Sequence, residues 1–189
     1  MHVSLSTLWR SKRTWRLPLC ASWLALVAPV CLSPAEPPRS EYDVKAAFLL
    51  NFTKFVEWPP ESFADTNSPI SICILGKDPF GHTLDDIVQG ETVNGRKLAV
   101  RRIAQMPASN ECQVVYVATN DHETGRGLAN LGAGVLTVGD GESFIRDGGM
   151  IAFIVQNRRV RFDIKQSAAD NAGLKLSSKL LSVARSVQK

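Results

Sequence analysis

Six short segments in which apolar residues cluster or alternate with polar ones, separated by turn-forming residues, constrain the fold of this chain more than any other feature of its sequence. Short runs rich in Val, Ile and Phe are typical of β-strands. They predict strands at residues 70–75, 97–103, 114–118, 135–138, 150–155 and 160–165. Helical patterns lie between several of these runs, and a hairpin joins the last two. The order predicts an α/β fold: a single compact domain with a mixed β-sheet flanked by helices.

The last predicted strand alternates strictly between apolar and polar side chains. Val160, Phe162 and Ile164 share one face, and Arg161, Asp163 and Lys165 share the other. Because successive side chains of a strand point to opposite faces, this pattern predicts an antiparallel strand with one face in water.

A helix is predicted where the globular part of the chain begins. Ser40 can cap its N-terminus, with Asp43 three residues later as the reciprocal partner. The proline pair at 59–60 cannot continue the helix, so it is expected to end near Trp58. Its apolar stripe contains Val44, Ala47, Phe48, Phe52 and Phe55. Asn51 falls on the same stripe and is predicted to be a buried, hydrogen-bonded side chain in preference to a ligand contact.

Further helices are predicted between the strands and at the C-terminus. One ends near Val88, and another covers residues 123–131. A short helix over residues 167–172 would end at Gly173, a residue type common just after a helix end, and Ser177 would start a second helix. A single helix that continues through Gly173 is the alternative, at a cost of about 1 kcal/mol.

Residues 1–35 have the composition of a secretory signal. Basic residues come first, an apolar run follows at positions 17–32, and small residues precede a cleavage point near Ala35. A permanent membrane anchor is the alternative, but a spanning helix needs about 20 apolar residues and this shorter run contains Pro18 and Pro29. The sequence therefore predicts export, a linker at residues 36–40 and a mature domain over residues 41–189.

The net charge of +4 does not indicate nucleic-acid binding, because the excess lies in the predicted signal. Four of the 22 basic residues and none of the 18 acidic residues fall within residues 1–35, which leaves 18 of each in the rest of the chain. The basic surface that a nucleic-acid partner requires is not predicted. With 44% hydrophobic and 21% charged residues, the composition is that of a folded domain rather than a disordered chain.

Cys73 and Cys112 are the two cysteines outside the predicted signal. In an exported chain, an isolated pair of cysteines favours a disulfide. Two buried free thiols or half of a metal site are the alternatives, and a zinc site is disfavoured because no pair of histidines lies nearby. The sequence predicts a disulfide and no metal.

The turn at residues 76–81 follows a strand and precedes a helix, where an α/β sheet often binds a ligand. Lys77 and Asp78 are its candidate ligand contacts. The turn lacks the glycine spacing of dinucleotide- and phosphate-binding loops, so its Gly and Pro residues are interpreted as turn-forming. No cofactor is predicted.

Arg158, Arg159 and Arg161 form the densest basic cluster outside the signal and are candidate contacts for an acidic partner. A solvated hairpin tip is the alternative interpretation. His82 and His122 are the histidines outside the signal, and no nucleophile elbow, metalloprotease helix or catalytic carboxylate pair accompanies them. These features favour a binding or regulatory domain over an enzyme, with no catalytic residue predicted.

A series of motifs runs in order through nearly the whole mature chain. They are Tyr42-x-Val44-Lys45-Ala46-Ala47-Phe48-Leu49-x-Asn51-Phe52-x-Lys54-Phe55-Val56-x-Trp58-Pro59, Cys73-Ile74-Leu75-Gly76-x-Asp78-Pro79-Phe80-Gly81, Gly95-Arg96-x-Leu98, Leu136-Thr137-Val138-Gly139-Asp140, Gly148-Gly149-Met150-Ile151-x-Phe153, Val160-Arg161-Phe162-Asp163-Ile164 and Ala172-Gly173-Leu174-Lys175-Leu176-Ser177-Ser178-Lys179-Leu180-Leu181. In this order the motifs resemble those of the YfiR family.

The resemblance implies a small periplasmic α/β protein, often a homodimer, that represses the inner-membrane diguanylate cyclase YfiN by binding its periplasmic region. An outer-membrane lipoprotein, YfiB, relieves the repression by sequestering the repressor, and the output is the cyclic-di-GMP level and biofilm formation. Cys73 and Cys112 match one disulfide of that repressor, whereas its second disulfide has no matching cysteines here.

Two functions are therefore expected to compete. The first is a periplasmic repressor of a YfiN-like cyclase. The second is a periplasmic small-ligand sensor, or an accessory protein for a receptor kinase or transporter, which the turn at 76–81 favours. An exported hydrolase is disfavoured, because His82 and His122 alone would have to supply its histidine base.

Overall fold

A mixed sheet of eight strands lies at the centre of the computed structural model, which describes residues 40–108, 110–118, 127–128 and 131–189. In chain order, and including a separate two-stranded pair, the strands are β1 (Val56–Glu57), β2 (Ile70–Leu75), β3 (Thr92–Val93), β4 (Arg96–Ile103), β5 (Val114–Val117), β6 (Leu136–Asp140), β7 (Ile151–Gln156), β8 (Arg159–Lys165), β9 (Lys175–Leu176) and β10 (Ser186–Gln188). The helices among these residues are α1 (Glu41–Phe55), α2 (Thr83–Val88), α3 (Gly141–Arg146), α4 (Gln166–Asn171) and α5 (Ser178–Val183). This arrangement confirms the predicted compact α/β domain with a mixed, helix-flanked sheet.

The strand order of the main sheet is β10-β8-β7-β6-β5-β2-β4-β3. Its middle strands, from β7 to β4, run parallel to their neighbours, while β8 is antiparallel to β7 and β3 is antiparallel to β4. The parallel strands thus stand in the order second, first, third, fourth and fifth along the chain, as in a doubly wound sheet. In such a sheet the chain reverses its direction of winding between β2 and β5.

Several predicted segments lie outside the described residues. These are the signal at residues 1–35, the linker as far as Arg39, and His122. Of the helix predicted over residues 123–131, Gly127 and Leu128 are described, and both are helical.

Every predicted strand is present: the bounds of β2 agree with the prediction, and those of the other predicted strands differ by at most two residues. The antiparallel pairing predicted for β8 is confirmed by its ladder with β7. Its second face is not fully in water, however, because Asp163 is only 4% exposed. Arg185 forms an ion pair with this carboxylate, and α3 packs against β8.

Helix α3 was not predicted, because the run between β6 and β7 reads as a turn. Phe144 of α3 packs directly on the backbone of two glycines, Gly139 and Gly149. A Cβ atom added at Gly139 would lie 2.5 Å from the Phe144 ring, and one added at Gly149 would lie 2.1 Å from it. The absence of side chains at these two positions is therefore what lets α3 lie on the sheet.

Helix α1 begins with the predicted reciprocal cap. The Ser40 hydroxyl accepts the backbone N–H of Asp43 at 3.2 Å, and the Asp43 carboxylate accepts the backbone N–H of Ser40 at 2.8 Å. The predicted burial of Asn51 is wrong, since this side chain is exposed. The buried residues of the helix are Lys45, Ala46, Leu49, Phe52 and Thr53. The side of α1 that faces the core is thus shifted by about one residue from the predicted apolar stripe. Two residues of that stripe, Val44 and Phe48, line an open groove instead of being fully buried.

The C-terminal segment contains two short helices rather than one. Gly173 follows α4 with a φ of +74°, which is the left-handed conformation that glycine adopts easily at a helix end. The Ser177 hydroxyl caps α5 by accepting the backbone N–H of Leu180 at 3.2 Å. Between the two helices, β9 pairs with β1, and after α5 the chain adds β10 to the edge of the main sheet.

The sheet buries apolar side chains on both faces. Phe52 of α1 is in ring contact with Phe153 of β7 and with Phe162 of β8. On the opposite face, Cys73 of β2 and Cys112, just before β5, are joined by a disulfide with their Cα atoms 5.9 Å apart. The bond links two neighbouring strands within the core.

Candidate functional site

An open groove of about 910 Å³ lies between the first half of α1, the β7–β8 hairpin and α5. Its apolar lining includes Val44, Phe48, Val155, Val160, Phe162 and Val183. A volume of this size is within the range of sites that bind small molecules or short peptide segments. The groove is therefore a surface with which the described residues can bind a partner or ligand.

Two valines on opposite walls of this groove are unusually exposed. Val155 on the hairpin is 49% exposed and Val183 on α5 is 57% exposed, and both line the groove. Single exposed apolar residues are common on protein surfaces, but apolar side chains that converge on one concave surface indicate an interaction site. Phe48, partly buried at the base, extends this apolar surface toward the core.

The candidate partner contacts Arg158, Arg159 and Arg161 lie together on the β7–β8 hairpin beside the groove, but strand alternation places the side chains of Arg159 and Arg161 on the face opposite Val160 and Phe162. All three are exposed, and none makes an ion pair or a side-chain hydrogen bond with a described residue. By contrast, Arg185 is held within the fold, since its Nε donates to Asp163 at 2.7 Å. Arg102 is similarly held, since its Nη1 donates to Asp85 at 2.7 Å.

The hairpin tip has a specific backbone geometry. Gln156 pairs with Arg159, so Asn157 and Arg158 form a two-residue turn with φ values of 52° and 60°. Positive φ at both central residues is the geometry of a type I′ turn, in which the second position favours glycine. Arg158 therefore occupies a left-handed position that is unfavourable for a long side chain.

A buried polar cluster lies beside the groove and joins α1 to β6. The Lys45 ammonium is 2.6 Å from a Glu41 carboxylate oxygen and 2.8 Å from a carboxylate oxygen of Asp140. Burial acts to lower the pKa of Lys45, but the hydrogen bonds to Asp140 and Glu41 outweigh this effect and raise it. The Tyr116 hydroxyl donates to Asp140 at 2.6 Å, and burial together with this contact raises the pKa of Tyr116. The cluster holds α1, which forms one wall of the groove, against the sheet.

The other candidate ligand contacts, Lys77 and Asp78, are not among the residues that line this groove and lie at the carboxyl end of β2. Lys77 is exposed, and the Asp78 carboxylate accepts the backbone N–H of Phe80 at 2.7 Å and pairs with Arg102 at 3.0 Å. Asp78 therefore serves the turn itself. His82 is exposed at the start of α2, and its side chain accepts no capping hydrogen bond from the first turn of the helix. Ligands of doubly wound sheets like this one bind between the loops that follow β2 and β5. The loop after β5 includes residues 119–126, which are outside the described part of the chain.

Sequence patterns identified the arginines but not the rest of the site. Val155 and Val183 belong to ordinary strand and helix patterns. Nothing in these patterns shows that no other element packs over their side chains. Sequence analysis did not identify Lys45 as a buried residue, because a lysine within a helix is normally exposed. Its spacing of four residues from Glu41 was the one signal that a local ion pair forms.

An open groove lined by exposed apolar side chains is typical of a domain that binds another molecule. Comparison with known families agrees with this class: the family model described as DUF4154, YfiR/HmsC-like, matches residues 42–185. The chain therefore belongs to the YfiR/HmsC-like family. No curated protein matches it.

The family is periplasmic and regulatory, is not catalytic, and interacts with cyclase-related partners. Within the described residues, no helix has both the length and the apolar character needed to span a bilayer.

Proposed function

We propose that this chain is a periplasmic repressor that binds the periplasmic region of an inner-membrane, YfiN-like diguanylate cyclase. Repression would lower cyclic-di-GMP and biofilm formation. The observation that carries the proposal is the extent of the family match, from Tyr42 to Arg185. This range includes almost all of α1, the β7–β8 hairpin and α5, which are the three elements that form the groove.

Such a repressor acts through differential binding and needs no bond-making chemistry. It must bind the inactive conformation of the cyclase more tightly than the active one, and the ratio of the two affinities sets the degree of repression. Moving a two-state cyclase from almost fully active to almost fully inactive requires a ratio of about 10⁴. A preformed binding surface favours this, because little ordering is needed when the partner binds.

The remaining features of the proposed role follow from the family resemblance. The chain would be exported with cleavage near Ala35, would act as a homodimer, and would be sequestered by a YfiB-like outer-membrane lipoprotein when repression is relieved. The linker at residues 36–40 would connect the cleavage point to the folded domain, which begins with the capped helix α1.

One observation favours a second function, a periplasmic small-ligand sensor or an accessory protein for a receptor kinase or transporter. The turn that carries Lys77 and Asp78 follows β2, next to the point where the doubly wound sheet reverses direction. Ligands of open α/β sheets commonly bind there. The engagement of Asp78 by Arg102 makes this the weaker of the two functions.

Gene deletion combined with cross-linking tests the proposal. Deleting the gene should raise cyclic-di-GMP severalfold, and the full chain supplied in trans should restore it. Cross-linking of the tagged chain in its own periplasm should recover a membrane protein that carries a diguanylate cyclase domain. An unchanged cyclic-di-GMP level in every growth condition would contradict the repressor. Recovery of a kinase or transporter without a cyclase would favour the sensor.

A further inference from the structure

The geometry points to the open edge of β8 at Val160 as the place where an extended segment of a partner adds a strand to the sheet. The added segment carries an apolar residue opposite Val160 and an acidic residue on either side of it. This inference rests on the proposed function, because the segment is assigned to the periplasmic region of the membrane partner. The family match assigns no binding surface to this chain, so the assignment starts from the backbone of β8.

Strand β8 extends beyond the strand that covers its outer edge. It spans Arg159–Lys165, but β10 pairs only with its residues 163–165. Burial changes close to the same point, since residues 162–164 are buried whereas residues 159–161 are exposed or partly exposed. Among the described residues, no strand covers the outer edge of β8 over residues 159–161.

The hydrogen-bonding pattern of the hairpin places free backbone groups at Val160. In an antiparallel ladder, pairs that exchange both backbone bonds alternate with pairs whose N–H and C=O groups point outward. The two-residue turn makes Gln156 and Arg159 a bonded pair. Val160 and Phe162 therefore direct their N–H and C=O groups to the outer edge. Phe162 agrees with this assignment, since its carbonyl accepts the backbone N–H of Arg185 at 2.8 Å. The N–H and C=O of Val160 meet no strand of the described sheet.

The open groove reaches this edge of β8. Five consecutive residues, 158–162, line the groove, although successive side chains of a strand point to opposite faces. Consecutive residues line one cavity where that cavity meets the strand along its edge. The volume of about 910 Å³ has room for a segment of a few residues. The groove therefore fits an extended backbone that pairs with a sheet edge, a common mode of peptide recognition.

The residue of the segment that lies opposite Val160 meets an apolar surface. Val160 pairs with Val155, which is 49% exposed, so both valines lie on the same face of the hairpin. The groove on this face is also lined by Phe48 of α1 and by Val183 of α5, which is 57% exposed. A side chain opposite Val160 points to the same face. An aliphatic or aromatic residue therefore fits this position.

The residues on either side of this position meet two arginines. Arg159 and Arg161 flank Val160, so their side chains lie on the other face of the sheet, where they line a polar pocket with Gln156 and Asn157. Neither guanidinium makes an ion pair or a side-chain hydrogen bond with a described residue. Opposite charges at facing positions of neighbouring strands attract, and guanidinium groups bind carboxylates through parallel hydrogen bonds. The sequence that complements the edge is thus acidic, apolar and acidic over three consecutive residues.

The same charges disfavour a second copy of this chain as the added strand. If the β8 edges of two copies paired antiparallel about Val160, Arg159 of each copy would lie opposite Arg161 of the other. Like charges at facing positions destabilise a strand pair. The N-terminal linker is also a poor added strand, because Pro37 and Pro38 have no backbone N–H to donate. An acidic segment of a different protein has neither disadvantage.

Site-specific photo-cross-linking identifies the segment. The full chain would be expressed in its own periplasm with a photo-cross-linking amino acid in place of Val183. The matched control carries it in place of Lys97, an exposed residue of β4 that β7, β6, β5 and β2 separate from β8. We expect position 183, but not position 97, to capture the cyclase. Mass spectrometry of the product should identify a peptide with the acidic, apolar, acidic pattern.

A proline at position 160 tests the backbone pairing. Val160→Pro removes the outward N–H and leaves the bonds between β7 and β8 in place, because proline is tolerated at an edge position whose N–H faces outward. It should lower the cross-link yield from position 183 about tenfold and raise cyclic-di-GMP. The control Val160→Ile keeps the N–H and an apolar, β-branched side chain, so its yield should stay within about twofold of wild type. Equal periplasmic abundance checks that both variants fold.

Charge reversal tests the acidic positions and decides the proposal if Val160→Pro does not accumulate. Arg161→Glu should lower the cross-link yield about tenfold, whereas Lys97→Glu should change it by no more than about twofold. Both positions are exposed cations on strands, so both variants are expected to fold. Replacing the facing acidic residue of the captured peptide by Arg should restore the yield of Arg161→Glu.

The outcomes separate the strand addition from the proposed function. Capture of the cyclase by another face, with none from position 183, overturns the docking site and leaves the repressor intact. An unchanged yield from a folded Val160→Pro overturns the backbone pairing, and an unchanged yield from Arg161→Glu overturns the acidic pattern. Capture of a second copy of this chain at position 183 overturns the partner segment as the occupant. A gene deletion without effect on cyclic-di-GMP overturns the proposed function, whatever position 183 captures.

Discussion

Arg158 has a backbone conformation that its residue type disfavours, with a φ of 60°. In the left-handed region a residue other than glycine is less stable by about 1–2 kcal/mol, since its Cβ lies too close to the carbonyl oxygen that follows it. Asn157, the other central residue of the turn, has a short polar side chain that adopts this region more readily. The strain of the hairpin tip is therefore concentrated at Arg158.

Arg158→Gly should stabilise the fold, because glycine adopts the left-handed conformation of this position without strain. Relief of about 1–2 kcal/mol of strain exceeds the extra 0.5–1 kcal/mol of chain entropy that glycine loses on folding, so the free energy of unfolding should rise by about 0.5 kcal/mol. Urea denaturation of the purified domain measures the change. Arg161→Gly, at an extended position in β8, is the control and should lose about 0.5–1 kcal/mol. Equal losses in the two variants would contradict the strain at Arg158.

The side chains that the sequence predicted correctly are those whose partners lie close along the chain. Ser40 and Asp43 are three residues apart and form the cap that their spacing predicts. The predicted burial of Asn51 was wrong because its environment depends on which side of α1 the sheet covers. Gln113 is another side chain whose environment depends on distant residues. It is buried, and its side-chain oxygen accepts the backbone N–H of Ser71, 42 residues away, at 2.8 Å.

At the scale of elements, helix α1 is held to the sheet by charge as well as by apolar packing. The Lys45 side chain is 3% exposed, whereas its partners Glu41 and Asp140 are 43% and 33% exposed. Tyr42 adds a cation–π contact, with the ammonium 4.7 Å from its ring centre. This cluster determines how α1 meets β6 and therefore where the helical wall of the groove lies.

Lys45→Met should lower the free energy of unfolding by about 2 kcal/mol at neutral pH, because Asp140 would lose its buried cation. The pKa of Lys45 is raised in the folded protein, so its contribution is fully present below the ordinary lysine pKa of 10.5 and is lost as pH rises through the higher folded value. The stability difference between wild type and variant should therefore be constant at about pH 6–9 and shrink in strongly alkaline solution.

Urea titrations over this pH range measure that difference. Lys97→Met is the control, because Lys97 is exposed and makes no ion pair with a described residue, and its stability difference should stay near zero. A Lys45→Met difference that grows with alkaline pH would contradict the raised pKa.

The predicted water-facing side of β8 shows where element patterns are insufficient. Alternation correctly separated its two faces, but it could not show that α3 and Arg185 cover the second face at Asp163. Arg185 belongs to the chain between α5 and β10, and it also reaches Glu142 of α3 at 2.8 Å. The burial of Asp163 thus depends on two elements that the strand itself does not encode.

At the scale of the whole molecule, the disulfide joins segments that the sheet has already brought together. Cys73 lies in β2 and Cys112 just before β5, and these strands are parallel neighbours with Cys73 opposite Val115. The bond therefore joins two cysteines that are 39 positions apart in the sequence while fitting the register of the ladder.

Cys73→Ser and Cys112→Ser should each lower the free energy of unfolding by a similar amount, up to about 4 kcal/mol. The reason is that either change releases the same loop in the unfolded chain. The double variant should lose little more than either single one, and periplasmic abundance should fall in parallel. Urea denaturation under non-reducing conditions measures the loss, with reduced wild type as the control. Full thiol reactivity of both cysteines in the native, unreduced protein would contradict the bond.

The groove is also a property of the whole molecule. Its walls come from the start of the domain, from the β7–β8 hairpin and from α5 near the C-terminus, and they meet only because β8 packs beneath α1. A local pattern could identify the arginines of the hairpin as a dense charge cluster. It could not show that Val155 and Val183 line the same open groove.

The amino-acid sequence by itself determined the α/β class, the positions of the main strands, the cap of α1, the two C-terminal helices and the cysteines available for a disulfide. These features depend on hydrophobic periodicity, turn residues and partners close along the chain, which are local properties. The tertiary structure alone decided the strand order, the burial of Lys45, Asp163 and Gln113, and the groove. Each of these depends on contacts between residues far apart in sequence, and local spacing carries no information about which distant surfaces meet.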